Sequence, residues 1–160
     1  MGILNPEDLE NHPDDYITRV FPKVKDLQFF LKRPRCKIIV EDRLNEIDVQ
    51  HEISKTIPSQ VVKVMNIAGA SDVDHDMLVN IFDRYATDAV FLLKNIDKAS
   101  GERIKTLINC AMKADCYYPA PLNGDIDFGP LRIVATCCGY PDYLQGDLGC
   151  FIVAVEGSYD

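Results

Sequence analysis

A chain of 160 residues suits one domain of ordinary size, and 47% hydrophobic against 26% charged residues is a globular composition, neither disordered nor collagen-like. No apolar run reaches the ~18–20 residues that span a bilayer, and no signal peptide precedes the first acidic residues, so the expectation is a cytoplasmic protein (nuclear in a eukaryote) with no membrane partner. A net charge of −8 disfavours nucleic acid as the main partner.

In chain order, helix and strand signals alternate without an internal repeat. Val24, Leu27, Phe30 and Leu31 follow the three-and-four spacing of an amphipathic helix. Cys36-Lys-Ile-Ile-Val-Glu41 is a short β-branched run bounded by charge, and Val49, Ile53 and Ile57 resume helical spacing before Pro58. Val61-Val-Lys-Val-Met-Asn-Ile67 gives a second strand. Ser71 or Asp72 then caps a helix carrying Leu78, Ile81, Phe82 and Tyr85. Asp88-Ala-Val-Phe-Leu-Leu93 is the third strand, and Ser100 caps a helix with Ile104, Leu107, Ile108 and Ala111. Leu131-Arg-Ile-Val-Ala-Thr136 and Phe151-Ile-Val-Ala-Val155 complete the set. Nearly continuous apolar strands separated by helices predict an α/β fold, with a five-stranded, mostly parallel sheet covered by helices on both faces. The prediction is a single domain over 1–160, with 1–20 as its N-terminal lead-in.

One loop departs from the alternation. Asn123-Gly124, between Tyr117-Tyr118-Pro-Ala-Pro-Leu122 and Asp125-Ile-Asp-Phe128, is a strong β-hairpin signal just before the fourth strand. The insertion at 117–128 reads either as a decorated surface loop or as a partner-binding hairpin. In the second case Tyr117, Tyr118, Leu122 and Phe128 are the contact residues, because exposed aromatics make good interface anchors.

Ligands of an open parallel sheet bind at the carboxyl ends of its strands. A phosphate loop needs glycines, so that backbone N–H groups can close around the anion, and a lysine for charge. After the first of the five strands stand Glu41, Asp42, Glu46 and Asp48, with no glycine from Ile3 to Ala68. The third strand ends in Lys94 and Asn95, where a nucleotide motor would place a magnesium-holding acid and a catalytic glutamate. Thr136, Cys137 and Cys138 follow the fourth strand. No lysine or arginine occurs from Ile133 to Asp160, which leaves that segment without a cation for a transferring phosphate. The one basic cluster, Lys32-Arg33-Pro34-Arg35-Cys36-Lys37, also complements the dipole of the helix before it.

The six cysteines contain no CxxC pair, and His12, His51 and His75 have no zinc-site spacing with them. The reading is buried structural thiols, no metal and no cofactor.

These features together resemble an AAA+ domain, specifically the large ATPase subdomain of RuvB-type Holliday-junction branch-migration motors. Asn11-His-Pro-Asp-Asp-Tyr-Ile17 resembles the segment "RP…LDEYIGQ" leading into that family's first strand, and Ala89-Val-Phe-Leu-Leu-Lys-Asn-Ile-Asp-Lys-Ala99 is similar to "VLFIDEIHRL". Ile108-Asn-Cys-Ala-Met-Lys-Ala-Asp115 is similar to "LYSAMED", and Ile133-Val-Ala-Thr-Cys137 to the sensor strand "LIGATT". The Asn123-Gly124 hairpin falls where the family carries a hairpin that contacts a partner protein. The resemblance implies a P-loop-like core. The chain departs from it at every charged part: Asp42 and Asp48 stand near the phosphate loop, Lys94 at the magnesium acid, Asn95 at the catalytic glutamate and Cys137 at the polar sensor. Tyr143-Leu-Gln-Gly-Asp-Leu148 has no finger arginine, and the family's helical lid has no counterpart. The expectation is therefore an inactive AAA+-like protein-binding or assembly module in a DNA-processing context, with another AAA+ subunit as one kind of partner. The alternatives are a divergent ATPase of the same class and a receiver-like signalling domain. Lys37-Ile-Ile-Val-Glu-Asp42 resembles the acidic first strand of a receiver.

Overall fold

The computed structural model describes residues 19–21, 31–32, 37–42, 47–117, 125–144 and 151–155, the first and last of these as backbone strands. The remaining expectations, including the helix at 24–30 and most of the lead-in at 1–20, lie outside the described residues. Six parallel strands form one sheet: β1 (Arg19–Phe21), β2 (Lys37–Asp42), β3 (Val61–Asn66), β4 (Ala89–Lys94), β7 (Arg132–Cys137) and β8 (Phe151–Val155). A separate antiparallel pair joins β5 (Cys116–Tyr117) to β6 (Ile126–Asp127). The fold class is α/β with a parallel sheet. The expected count of five strands needs correction, because β1 adds a sixth against β8.

The sheet order is β1-β8-β2-β7-β4-β3. The first expected strand, β2, therefore lies between the fourth and fifth, and the fourth separates it from the third. A receiver-like sheet runs 2-1-3-4-5, with its first strand between the second and third. The receiver-like alternative does not survive this difference.

The apolar runs are continuous because both faces of the sheet are covered. Successive side chains of a strand point to opposite faces. Ile38 and Val40 of β2, Val90 and Leu92 of β4, and Val134 of β7 form one core with Val49 and Ile53 of helix α1 (Val49–Thr56). Ile39, Phe91, Leu93, Ile133 and Ala135, the residues between them, form the second core. Its cover is helix α2 (His75–Tyr85), through Leu78, Val79 and Phe82, and helix α3 (Glu102–Met112), through Ile104, Leu107, Ile108 and Ala111. Phe82 stacks at a tilt on Phe91 and meets Phe128 edge-on, with ring centroids 4.7 and 5.1 Å apart.

Two helix starts show how the chain satisfies its first-turn N–H groups. Ser71 and Asp74 form a capping box around the short 3-10 turn that leads into α2. The expected Ser100 cap of α3 is corrected. Gly101 is the N-cap, the Ser100 hydroxyl donates to the Ala70 carbonyl at 2.9 Å, and the Asp72 carboxylate accepts the Arg103 N–H at 2.8 Å. A Cβ on Gly101 would lie 2.6 Å from the Asp72 backbone nitrogen and closer still to its carboxylate, so only glycine permits this crossing.

The β5–β6 pair is the base of the expected hairpin, with Tyr117 opposite Ile126, while Tyr118 and Leu122 lie outside the described residues. Tyr117 and Phe128 are not exposed contact residues: they are 4% and 0% exposed and belong to the second core. The reason is His75, wholly buried at the start of α2, whose Nδ1 lies 2.9 Å from Asp76 Oδ1 and whose Nε2 lies 2.6 Å from the Tyr117 hydroxyl. A carboxylate only accepts, so Nδ1 donates to Asp76, and Nε2 and the Tyr117 hydroxyl are hydrogen-bond partners. Burial raises the Tyr117 phenol above its ordinary pKa, which keeps it protonated. The basic cluster is likewise partly internal. Lys37 is 2% exposed and donates to the Gly129 and Leu131 carbonyls, each at 2.8 Å, which fastens the segment after β6 to the start of β2.

Tyr117→Ala is expected to destabilise the fold by about 3–5 kcal/mol, the range for losing a buried aromatic. Urea denaturation measures this, and a change under ~0.5 kcal/mol, the level of an exposed site, would return Tyr117 to the surface.

Candidate functional site

Parallel strands bring their carboxyl ends to one edge of the sheet. There a cleft of about 340 Å³ opens between the ends of β2, β4 and β7 and the start of α1. Asp42, Asp48, Lys94, Asn95 and Cys137 all line it, so the five positions read from scattered segments meet in one place. Ile47, Val49, Gln50, Leu92, Thr136 and Cys138 complete the wall.

The start of α1 points into this cleft, and the unpaired N–H groups of a helix start form a ready anion site. Here one of the chain's own carboxylates takes one such N–H, and a second holds the N–H of the residue before the cap. Asp48, the N-cap, accepts the His51 N–H at 3.0 Å, and Asp42 Oδ2 accepts the Ile47 N–H at 2.9 Å. Asp42 is 4% exposed at the end of β2. Its neighbour Glu41 is also buried. The acidic stretch that begins at Glu41 thus starts inside the sheet. Among the described residues the lining holds two carboxylates against one ammonium, the exposed Lys94, and no glycine. A polyphosphate would meet two fixed negative charges at the place where a cradle must supply donors.

Asn95, at the catalytic-glutamate position, has a structural task. Its backbone is left-handed, φ 61° and ψ 47°, a conformation asparagine tolerates better than most residues. Its N–H donates to the Thr136 hydroxyl at 3.2 Å, and its side-chain amide donates to Asn66 Oδ1 at 3.1 Å. Asn66 Oδ1 also accepts the Ala68 N–H at 3.1 Å. The ends of β3, β4 and β7 are tied together by these bonds. A glutamate at position 95 has no side-chain donor to give Asn66.

Cys137 is 3% exposed and its thiol lies 3.9 Å from the Val40 carbonyl. Burial first, then the nearby Asp97, Glu41 and Cys138, push its pKa up to about 12. A nucleophile needs the thiolate. This thiol stays protonated, and no histidine lines the cleft among the described residues to take its proton. Burial, with Cys137 and Asp97 nearby, also raises the Tyr143 phenol, whose hydroxyl donates to the Ile96 carbonyl. Asp97, in the turn after β4, keeps one buried carboxylate oxygen without a hydrogen-bond partner. No group of three or more potential ligands is arranged to hold a metal among the described residues, and none of the helices among them is long and apolar enough to cross a membrane.

Sequence reasoning found the strand-end residues through the rule for parallel sheets. It missed Ile47 and Gln50 of the wall, and the tie through Asn66. The signal for Asn66 was a lone amide ending an otherwise apolar run, next to a third strand that ends in a second amide, Asn95. No model of a known protein family matches the chain, and no curated protein matches it.

The raised Cys137 pKa has a definite sign. An unfolded thiol ionises near pH 9 and the folded one only near 12, so the unfolded state loses its proton first. Stability is unaffected below the unfolded value and falls as pH climbs from 9 toward 12. Denaturant titrations across that window should show a shallower alkaline decline for Cys137→Ala than for the parent. Equal slopes would place the thiol in contact with water.

Proposed function

We propose that this chain is a catalytically inactive AAA+-like domain that serves as a protein-binding or assembly module in DNA processing. The observation that carries the reading is the pair of carboxylates lining the cleft, Asp42 bonded to the Ile47 N–H just before the cap of α1 and Asp48 to the His51 N–H in its first turn, which puts acids where a nucleotide's phosphates would lie. A further observation supports it: the residues that the resemblance equates with phosphate loop, magnesium acid, catalytic glutamate and sensor all line a single cleft.

The inactivity follows residue by residue. Lys94 brings a positive charge to the place of the acid that holds magnesium through water, and like charges repel. Asn95 is committed to Asn66 and Thr136, so it is not placed to orient an attacking water. Cys137 offers a neutral thiol in place of a polar sensor. A cleft kept after its charged parts were replaced is a scaffold for assembly, since fold alone does not fix activity.

The second reading, a divergent ATPase, draws on one feature: Lys94 is exposed in the cleft and can approach an anion. Phosphate release from ATP with Mg²⁺ separates the two. The expected rate equals the buffer background, with no change in Lys94→Ala. Hydrolysis above background that disappears in Lys94→Ala would replace the scaffold with a divergent enzyme.

A further inference from the structure

We infer that the cleft at the carboxyl ends of β2, β7 and β4 binds a free α-amino acid with an apolar side chain. One wall holds its ammonium and the other its carboxylate. This goes beyond the protein-binding reading and does not depend on it. The placement follows from the pleat. Ile38 and Val40 of β2, Val134 of β7, and Val90 and Leu92 of β4 belong to the core on the α1 face of the sheet. Side chains alternate along a strand, so two residues further on Asp42, Thr136 and Lys94 lie on that face too. Val40 pairs with Thr136 and Leu92 with Val134, which sets Thr136 level with Lys94 and Asp42 one pleat beyond. β7 separates β2 from β4, so the two walls stand two strand spacings apart, roughly 9–10 Å.

The walls carry opposite charge. On the β2 side are the carboxylates of Asp42 and of Asp48, the cap of α1; on the β4 side is the Lys94 ammonium, and all three line the cleft. Lys94 forms no ion pair among the described residues, so the two walls do not neutralise each other directly. A carboxylate offers about four lone-pair sites, so a backbone N–H bond does not close Asp42 or Asp48 to a second donor. Thr136, between the walls, accepts the Asn95 N–H at 3.2 Å, which leaves its own hydroxyl proton to donate. The β4 side thus offers two donors for a carboxylate, and the β2 side offers acceptors for an ammonium.

Local charge chooses the ligand. An anion alone meets two carboxylates and a cation alone meets Lys94, and like charges at such range repel. A molecule with both signs satisfies both walls, and the flexible stem of Lys94 lets its ammonium close on a carboxylate. Ile47 and Val49 flank Asp48 in the lining, which gives an apolar side chain a surface to lie on. A cleft of about 340 Å³ lies at the lower end of the range for small-molecule pockets.

The test is calorimetric titration of L-leucine into the whole chain, with isoamylamine and isocaproate as probes that lack its carboxylate or its ammonium. Leucine should bind, and each half-ligand should bind at least about tenfold more weakly, the scale of one charged hydrogen bond. Lys94→Met and Asp48→Asn should each weaken leucine binding to the same degree. Asparagine caps a helix as well as aspartate does, and Lys94 is exposed, so both variants keep the fold. No heat at millimolar leucine overturns the proposal. Equal binding of isoamylamine or isocaproate also overturns it, in favour of a site for a single charge, and so does unchanged affinity in both variants. Phosphate release tests the inactive reading separately. Hydrolysis without leucine binding removes both readings, and background hydrolysis without leucine binding removes the amino-acid site alone.

Discussion

The start of α1 is where this molecule's chemistry is decided. A helix start at the carboxyl end of a parallel sheet presents N–H groups and a partial positive charge to whatever lies in the adjoining cleft. In this chain the occupants are built in. Asp42 reaches forward from β2 to the Ile47 N–H, and Asp48 caps the His51 N–H. Both are carboxylate-to-backbone hydrogen bonds of ordinary length, 2.9 and 3.0 Å. They fasten the chain that leaves β2 to the helix that follows, and they place negative charge where an anionic ligand would have to enter. The same two bonds set carboxylates where the proposed loss of phosphate binding needs them.

The rest of the cleft is consistent with that one constraint. The tie among Asn66, Asn95 and Thr136 holds three strand ends in register through polar bonds that leave little freedom to reorganise around a substrate. The buried Cys137 thiol in the cleft wall, its pKa raised by burial, adds no charge to it.

Much of the architecture was legible in the sequence because its cause is local. Strands such as Ile38–Val40 and Val90–Leu93 are buried on both faces, so they are written as uninterrupted apolar runs. The meeting of Asp42, Asp48, Lys94, Asn95 and Cys137 was legible too, since parallel strands end on the same side whatever their order. What escaped depends on contacts distant in sequence. β1 is three residues long, too short to show a period. Tyr117 and Phe128 look like projecting aromatics beside an Asn-Gly turn, and nothing local reveals that His75, 42 positions earlier, is the hydrogen-bond partner of the Tyr117 hydroxyl. The cap of α3 comes from Asp72 through a glycine that tolerates the crossing, so the nearby Ser100 was a plausible local choice with another partner.

The most direct test of the central claim is titration of ATP and of ADP, each with Mg²⁺, into the purified chain, followed by calorimetry and thermal denaturation. A ligand at 100 times its dissociation constant stabilises a folded protein by about 2.7 kcal/mol, an easily seen shift. If the carboxylates at the start of α1 hold the phosphate's place, millimolar nucleotide produces neither heat of binding nor a change in melting temperature. Micromolar binding of either nucleotide would contradict the account, because it would require donors in the cleft that Asp42 and Asp48 are argued to have taken.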